Sequence, residues 1–181
     1  MLSYLELVDL VNDGVITNVQ DGCINGSSID VHLGAELLIE ACPSPMDDDQ
    51  IDPVLRKNFN QIVHRLDGAY YMLAPGEFVL GSTIEQFNLP SNISAEFRLK
   101  SSGARSGLDN SFACHCDPGW HGSALTLELK NVLRHHWIKL SYGMPIGQII
   151  FHRHDVAVPK DKDYTARGRY NNDTSVSGVK L

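Results

Sequence analysis

Within the first thirty residues the spacing of hydrophobic positions changes from helical to alternating. Ser3-Tyr4-Leu5-Glu6 reads as a capping box, with Ser3 as N-cap and Glu6 at the third helical position, so a short N-terminal helix is expected. Leu5, Val8 and Val11 fall on one face of it, and Asn12-Asp13-Gly14 predicts its end. Next, Ile29, Val31 and Leu33 alternate with Ser28, Asp30 and His32 until Gly34, the period of a half-buried strand. Residues 41–53 are loop-like, and their three successive Asp residues read as a solvated surface run rather than a cation site. Tyr70-Tyr71-Met72-Leu73 predicts a strand closed by the turn signal Ala74-Pro75-Gly76-Glu77, with Phe78-Val79-Leu80 as the next strand. Leu125, Leu127 and Leu129 alternate with Thr126, Glu128 and Lys130, which puts three leucines on one face and a carboxylate on the other. Gly147-Gln148-Ile149-Ile150-Phe151 follows the turn Gly143-Met144-Pro145 as a further strand. Many short strands at turn-punctuated spacing predict an all-β barrel or sandwich. Residues 165–181 are polar and lack a core pattern, so a mobile tail that orders over a ligand is expected.

The 181 residues, 20.0 kDa, suffice for one domain with a real core and fall short of two, so residues 1–181 are expected to form a single domain. Apolar residues make up 43% and charged residues 20%, an ordinary globular composition. No stretch approaches the roughly 20 apolar residues of a membrane span. Met1-Leu2-Ser3-Tyr4-Leu5-Glu6 has neither a basic region nor a signal-peptide core. A cytoplasmic protein without a membrane partner is expected. The formal charge of -7 and pI near 5.5 argue against nucleic acid as a partner, which needs a basic surface. They leave room for a phosphorylated small molecule held by a few local cations.

Without a secretion signal, Cys23, Cys42, Cys114 and Cys116 are expected as free thiols. Cys114-His115-Cys116 lacks the two-residue loop of zinc sites and no second Cys pair follows, so it reads as alternate residues of a strand. His135-His136 and His152-Arg153-His154 read as surface or interface positions.

Chemistry concentrates between Arg98 and Asn131. Lys100-Ser101-Ser102-Gly103-Ala104-Arg105 combines cations, hydroxyls and small residues that suit an oxyanion, although the same composition is common on plain surface. Asp117-Pro118-Gly119-Trp120 fits a type II turn. Glu128, opposite the leucines, faces solvent, a cleft or a neighbouring subunit.

Taken in order, several segments resemble the dCTP deaminase family of the dUTPase-like superfamily. They are residues 24–34 (Ile-Asn-Gly-Ser-Ser-Ile-Asp-Val-His-Leu-Gly), Leu73-Ala74-Pro75-Gly76-Glu77-Phe78, Ser101-Ser102-Gly103-Ala104-Arg105-Ser106-Gly107, Asp117-Pro118-Gly119-Trp120-His121-Gly122 and Leu127-Glu128-Leu129-Lys130-Asn131. Lys100 stands where the family usually has Arg. The resemblance implies a distorted jelly-roll-like β-barrel with a short N-terminal helix, assembled as a homotrimer with active sites between subunits. It implies zinc-independent deamination of dCTP to dUTP and ammonia, or, alternatively, a bifunctional enzyme that continues to dUMP and pyrophosphate. A nucleotide-binding regulator on the same fold is the reading from another class. The zinc deaminase strings His-x-Glu and Pro-Cys-x-x-Cys do not occur.

By this resemblance Glu128 moves protons between water, N3 and the leaving amino group, Ser101 bonds that group, and Arg105 orients Glu128 and the intermediate. Gly103 and Ala104 belong to the same loop. Ala113 helps place the water through its backbone, Asp117 takes the sugar 3′-hydroxyl, and Thr126 and Leu127 offer backbone groups to the base. Lys100, Ser102, Tyr164 and Arg169 are implied at the triphosphate, which carries Mg²⁺. Asp173 falls near a tail position where the family commonly has Gln.

Overall fold

The computed structural model describes residues 1–42, 51–56, 58–111, 113 and 115–180. The chain runs α1 (Tyr4–Asn12), β1 (Ile16–Thr17), β2 (Ile29–His32), β3 (Glu36–Glu40), β4 (Gln61–Arg65), β5 (Tyr70–Leu73), β6 (Phe78–Asn88) and β7 (Ile93–Leu99). It continues with α2 (Ser101–Arg105), β8 (Leu108–Asn110), β9 (His115–Cys116), β10 (His121–Asn131), β11 (Ile138–Ser141), β12 (Pro145–Arg153) and α3 (Tyr164–Arg167). The expected all-β class with a short N-terminal helix is what the chain adopts. The strands form a larger sheet ordered β4-β3-β6-β10-β8 with β1 beside β6, a sheet ordered β2-β12-β7-β9, and the pair β11-β5.

One core joins the three sheets. Leu37, Val79, Leu127 and Leu129 of the larger sheet, Ile29, Val31, Phe97, Ile149 and Phe151 of the second, and Leu73 and Leu140 of the pair are all buried in one cluster. Each belongs to the inward set of an alternating strand, so period two in the sequence becomes a continuous apolar layer.

Two local expectations need correction. The capping box forms, with the Ser3 N–H donating to Glu6 Oε2 at 2.9 Å, but the buried face of α1 is Leu7 and Leu10. Leu5 of the expected Leu5, Val8, Val11 face is 72% exposed. Leu7, Leu10 and Val11 make an equally good helical stripe. The N–H of Leu2, donating to the Phe151 carbonyl at 3.0 Å, ties down the helix start and helps select that stripe. On β2, Ile29 and Val31 face the core as expected, yet His32 on the alternate set is also buried. Its Nδ1 lies 2.8 Å from Glu85 Oε1, and its N–H donates to Glu85 Oε2 at 2.9 Å. A partner 53 residues away thus satisfies both buried polar groups.

The Asp47-Asp48-Asp49 run and Cys114 lie outside the described residues. His115 and Cys116 form a short strand, while His135 and His136 are exposed.

Candidate active site

β6 and β10 carry the candidate site on the face turned away from the core. Thr126 pairs with Ser82, Glu128 with Leu80 and Lys130 with Phe78. Directly opposed residues of an antiparallel pair share a face, so these six side chains stand together and Leu127 and Leu129 point the other way. The ladder is interrupted just before Thr126, where the pairing shifts from Gln86 to Ser82. In that bulge the Thr83 hydroxyl oxygen accepts the Leu125 N–H at 3.0 Å.

The tail lies across this face. The Ala124 N–H donates to the Asp173 carbonyl at 2.7 Å, and the Ser177 N–H to Thr126 Oγ1 at 3.4 Å. Farther on, Asn58 grips Val179 through two 2.7 Å hydrogen bonds, one to its carbonyl and one from its N–H. Between face and tail is a cavity of about 490 Å³. Ala113, Asp117, Thr126, Glu128, Tyr164 and Asp173 all line it.

Glu128 is half-buried, and its Oε2 is buried with no hydrogen-bond partner among the described residues. Burial pushes its carboxyl above the usual glutamate range, partly offset by its own backbone N–H. A desolvated carboxylate with one oxygen uncommitted is suited to take a proton from a substrate or water. Tyr164, too, has its phenol raised by burial.

The turn at Asp117 is built as its sequence predicts. The Trp120 N–H donates to the Asp117 carbonyl at 3.2 Å, and Gly119 has φ +86°. A Cβ on Gly119 would stand 1.8 Å from Asp163 Oδ1, so glycine is required by contact as well as conformation. Asp163 caps α3, accepting the Thr165 N–H at 2.8 Å, and the Tyr164 N–H donates to the Pro118 carbonyl at 2.9 Å. Turn and tail helix therefore interlock, which sets Asp117 and Tyr164 in one cavity wall. His115 Nε2 lies 3.5 Å from Asp117 Oδ1 at the same wall.

Other predicted residues stand apart. Ser101, Ser102, Gly103, Ala104 and Arg105 form α2, beside β8, and none of them lines the cavity. The Lys100 ammonium is hydrogen-bonded to Asp30 Oδ2. Arg169 is exposed outside the cavity. Leu127 is 1% exposed in the core and does not line the cavity. Asp173 meets Lys180 Nζ at 2.7 Å and accepts the Ser177 hydroxyl at 2.8 Å, so its charge is met within the tail.

Asn58, Phe59, Phe78, Leu80 and Tyr170 also line the cavity and were not anticipated. Phe78 and Leu80 could have been found by extending the strand alternation to the polar face of β10. Asn58 and Phe59 carry no local signal, since only the fold brings them there. Among the described residues no group of three or more His, Cys, Asp or Glu is gathered to hold a metal ion, and no helix is long and apolar enough to cross a membrane.

The chain thus combines a mostly β fold with a half-buried glutamate, one oxygen of which has no partner among the described residues, in a cavity of about 490 Å³. Residues 1–154 match the family described as dCTP deaminase-like, and the chain belongs to that family. The protein named "dCTP deaminase, dUMP-forming" of Mycobacterium tuberculosis is 46% identical over 101 residues, 55% of this chain and 52% of that protein. The match thus spans about half the length of that relative. The protein of the same name from Methanospirillum hungatei is 36% identical over 130 residues, 71% of this chain and 67% of that protein. The solved 2′-deoxycytidine 5′-triphosphate deaminase of Agrobacterium tumefaciens shares the fold, with TM-score 0.64 at 19% identity over 84% of this chain and 48% of that one.

Proposed function

We propose that the protein deaminates dCTP and carries the product on to dUMP and pyrophosphate. The observation that carries the reading is Glu128, a desolvated carboxylate with an uncommitted oxygen in a cavity of nucleotide size. The dUMP-forming names of the relatives favour this over the dUTP-releasing reaction expected first from the sequence.

In the first step Glu128 accepts a proton from water as its oxygen bonds to C4. Glu128 passes this proton to N3, then carries the hydroxyl proton of the C4 adduct to the amino group, and the C4–N bond breaks to release ammonia and leave a C4 carbonyl. Ala113 and the Thr126 peptide groups hold water and base. Asp117 takes the sugar 3′-hydroxyl, and Tyr164 meets the phosphates. In the second step a water attacks the α-phosphorus and pyrophosphate leaves, with a carboxylate at Asp117 available to assist.

Ser101, Ser102 and Arg105 sit on the exposed α2, away from this chain's own cavity. That placement supports a homotrimer in which α2 of one copy reaches the cavity of another. Asp117 and Asp173 line the cavity beside Glu128; Asp173 is engaged by Lys180 and Ser177, which leaves Asp117 as the carboxylate that would face a magnesium ion arriving on the triphosphate. Such an ion supplies charge neutralisation of the phosphate oxygens.

The test is a product assay with Mg²⁺ and either dCTP or dUTP, resolved by anion exchange. Ammonia, dUMP and pyrophosphate from dCTP are expected. Accumulation of dUTP instead returns the reaction to simple deamination, and cleavage of dUTP with dCTP untouched removes Glu128 from the proposed role.

A further inference from the structure

The two flanks of Glu128 differ in chemistry. On the β6 side stands Leu80, directly opposite Glu128, with Phe78 one pair further along. Leu38 of β3, paired with Leu80, and Val176 of the tail bury themselves against it. Phe59 and Phe78 pack onto this group, their rings edge to face with centroids 6.1 Å apart. On the other flank the described neighbours include the backbone of Ser111 and Ala113. The Ser111 N–H donates to the Glu128 carbonyl at 3.1 Å, and Ala113 lines the cavity.

A cytosine ring has two unlike edges as well. The amino group, N3 and O2 need hydrogen-bond partners, and burying them against hydrocarbon is costly. C5 and C6 carry only C–H and favour an apolar wall. C5 is the ring atom next to C4. A base whose C4 is held at Glu128 must therefore turn its C5 edge to one flank and N3 to the other. The apolar flank suits C5 and the main-chain flank suits N3.

We propose that Phe59, Phe78 and Leu80 form the wall that reads the C5 position, and that the site accepts 5-methylcytosine nucleotides as well as dCTP. This rests on the deaminase reading and extends its substrate class. The reaction balances as before: water adds at C4, ammonia leaves, and 5-methyl-dCTP becomes the 5-methyl-uracil nucleotide. An apolar wall gains contact from a methyl group and loses it to a hydroxymethyl, whose hydroxyl would be buried without a partner. Pockets of this kind discriminate by factors of roughly 10 to 200.

The experiment measures kcat/KM for dCTP, 5-methyl-dCTP and 5-hydroxymethyl-dCTP with the wild type and with Phe59→Ser, each confirmed folded by circular dichroism. Ratios between substrates cancel any loss common to all three. In the wild type 5-methyl-dCTP is expected to match or exceed dCTP, and to exceed 5-hydroxymethyl-dCTP by about 10-fold or more. Phe59→Ser should collapse that second ratio toward one. Because Phe59 lies in a connecting segment and is half-buried, the substitution spares the main core. A wild type that deaminates dCTP but handles 5-methyl-dCTP about 100-fold worse overturns the wall alone. So does a ratio that Phe59→Ser leaves unchanged. A wild type that leaves all three nucleotides intact overturns the deaminase reading and the wall together.

Discussion

The two faces of β10 are made from one stretch of chain and do opposite work. Leu127 and Leu129 are almost completely buried in the main core, with Leu125 beside them. Thr126 and Glu128, between them in sequence, line a cavity. The inner face has many apolar neighbours, and its buried polar residue, Asn131, is satisfied by donating to the Leu73 and His136 carbonyls. The outer face keeps a carboxylate oxygen buried and unsatisfied, which opposes stability. A strand can carry such a residue because the leucines on its other side hold it in register. Stability and chemistry are thus separated by a single step along the backbone.

That separation can be tested by substitution on each face. Glu128→Gln is expected to lower deamination by on the order of 10² to 10⁴-fold, measured as ammonia release at saturating dCTP, with the circular dichroism spectrum retained. If this variant unfolds instead, the two faces are not separable. Leu127→Ala, by contrast, should cost about 2–5 kcal/mol in the free energy of unfolding from denaturant titration, because it opens a cavity in a packed core. A loss under 1 kcal/mol would mean the inner face is looser than described. Asn58→Ala removes both hydrogen bonds to Val179, each worth roughly 0.5–1.5 kcal/mol. Limited proteolysis should then cut the tail faster than in the wild type, while the rest of the chain stays intact.

The smallest effect concerns pH. Burial holds the Glu128 carboxyl above the usual range, so the folded protein binds that proton more tightly than the unfolded chain does. The stabilisation from this group is fully present below the ordinary glutamate range and is lost as pH rises through the raised value. Glu128→Gln cannot ionise, so its Tm should exceed that of the wild type at neutral pH, and the gain should vanish in acid. A gain that grows on acidification contradicts the assigned direction.

Much of this arrangement was readable along the chain, and the unread parts share a cause. The leucine alternation in β10, the glycine of the Asp117 turn and the capping box of α1 are local patterns with local physics. The inward face of α1 is not legible locally because two stripes compete and contacts with the rest of the fold, those of Leu2 and Glu6 with β12 among them, decide between them. The burial of His32 on the alternate set of β2 has no local signal, because its partner, Glu85, is distant in sequence and lies where the β6–β10 pairing is interrupted. α2 has two serines and a glycine among five residues, a poor helix former with no periodic signal. At the site, Glu128 and Asp117 stood out through their setting on strand and turn. Phe59 and Asn58 did not, because a loop residue reaches a cavity only when the sheet and tail have assembled. The motifs carried Ser101 and Arg105 into the site, whereas this chain places them on an outward helix, a difference that a second copy would reconcile.

The most direct test of the account is ammonia release from dCTP by the wild type and Glu128→Gln, run side by side with nucleotide binding measured on both. The account predicts ammonia from the wild type, almost none from the variant, and similar dCTP affinity for the two. Ammonia from Glu128→Gln at the wild-type rate, or none from the wild type, would contradict it.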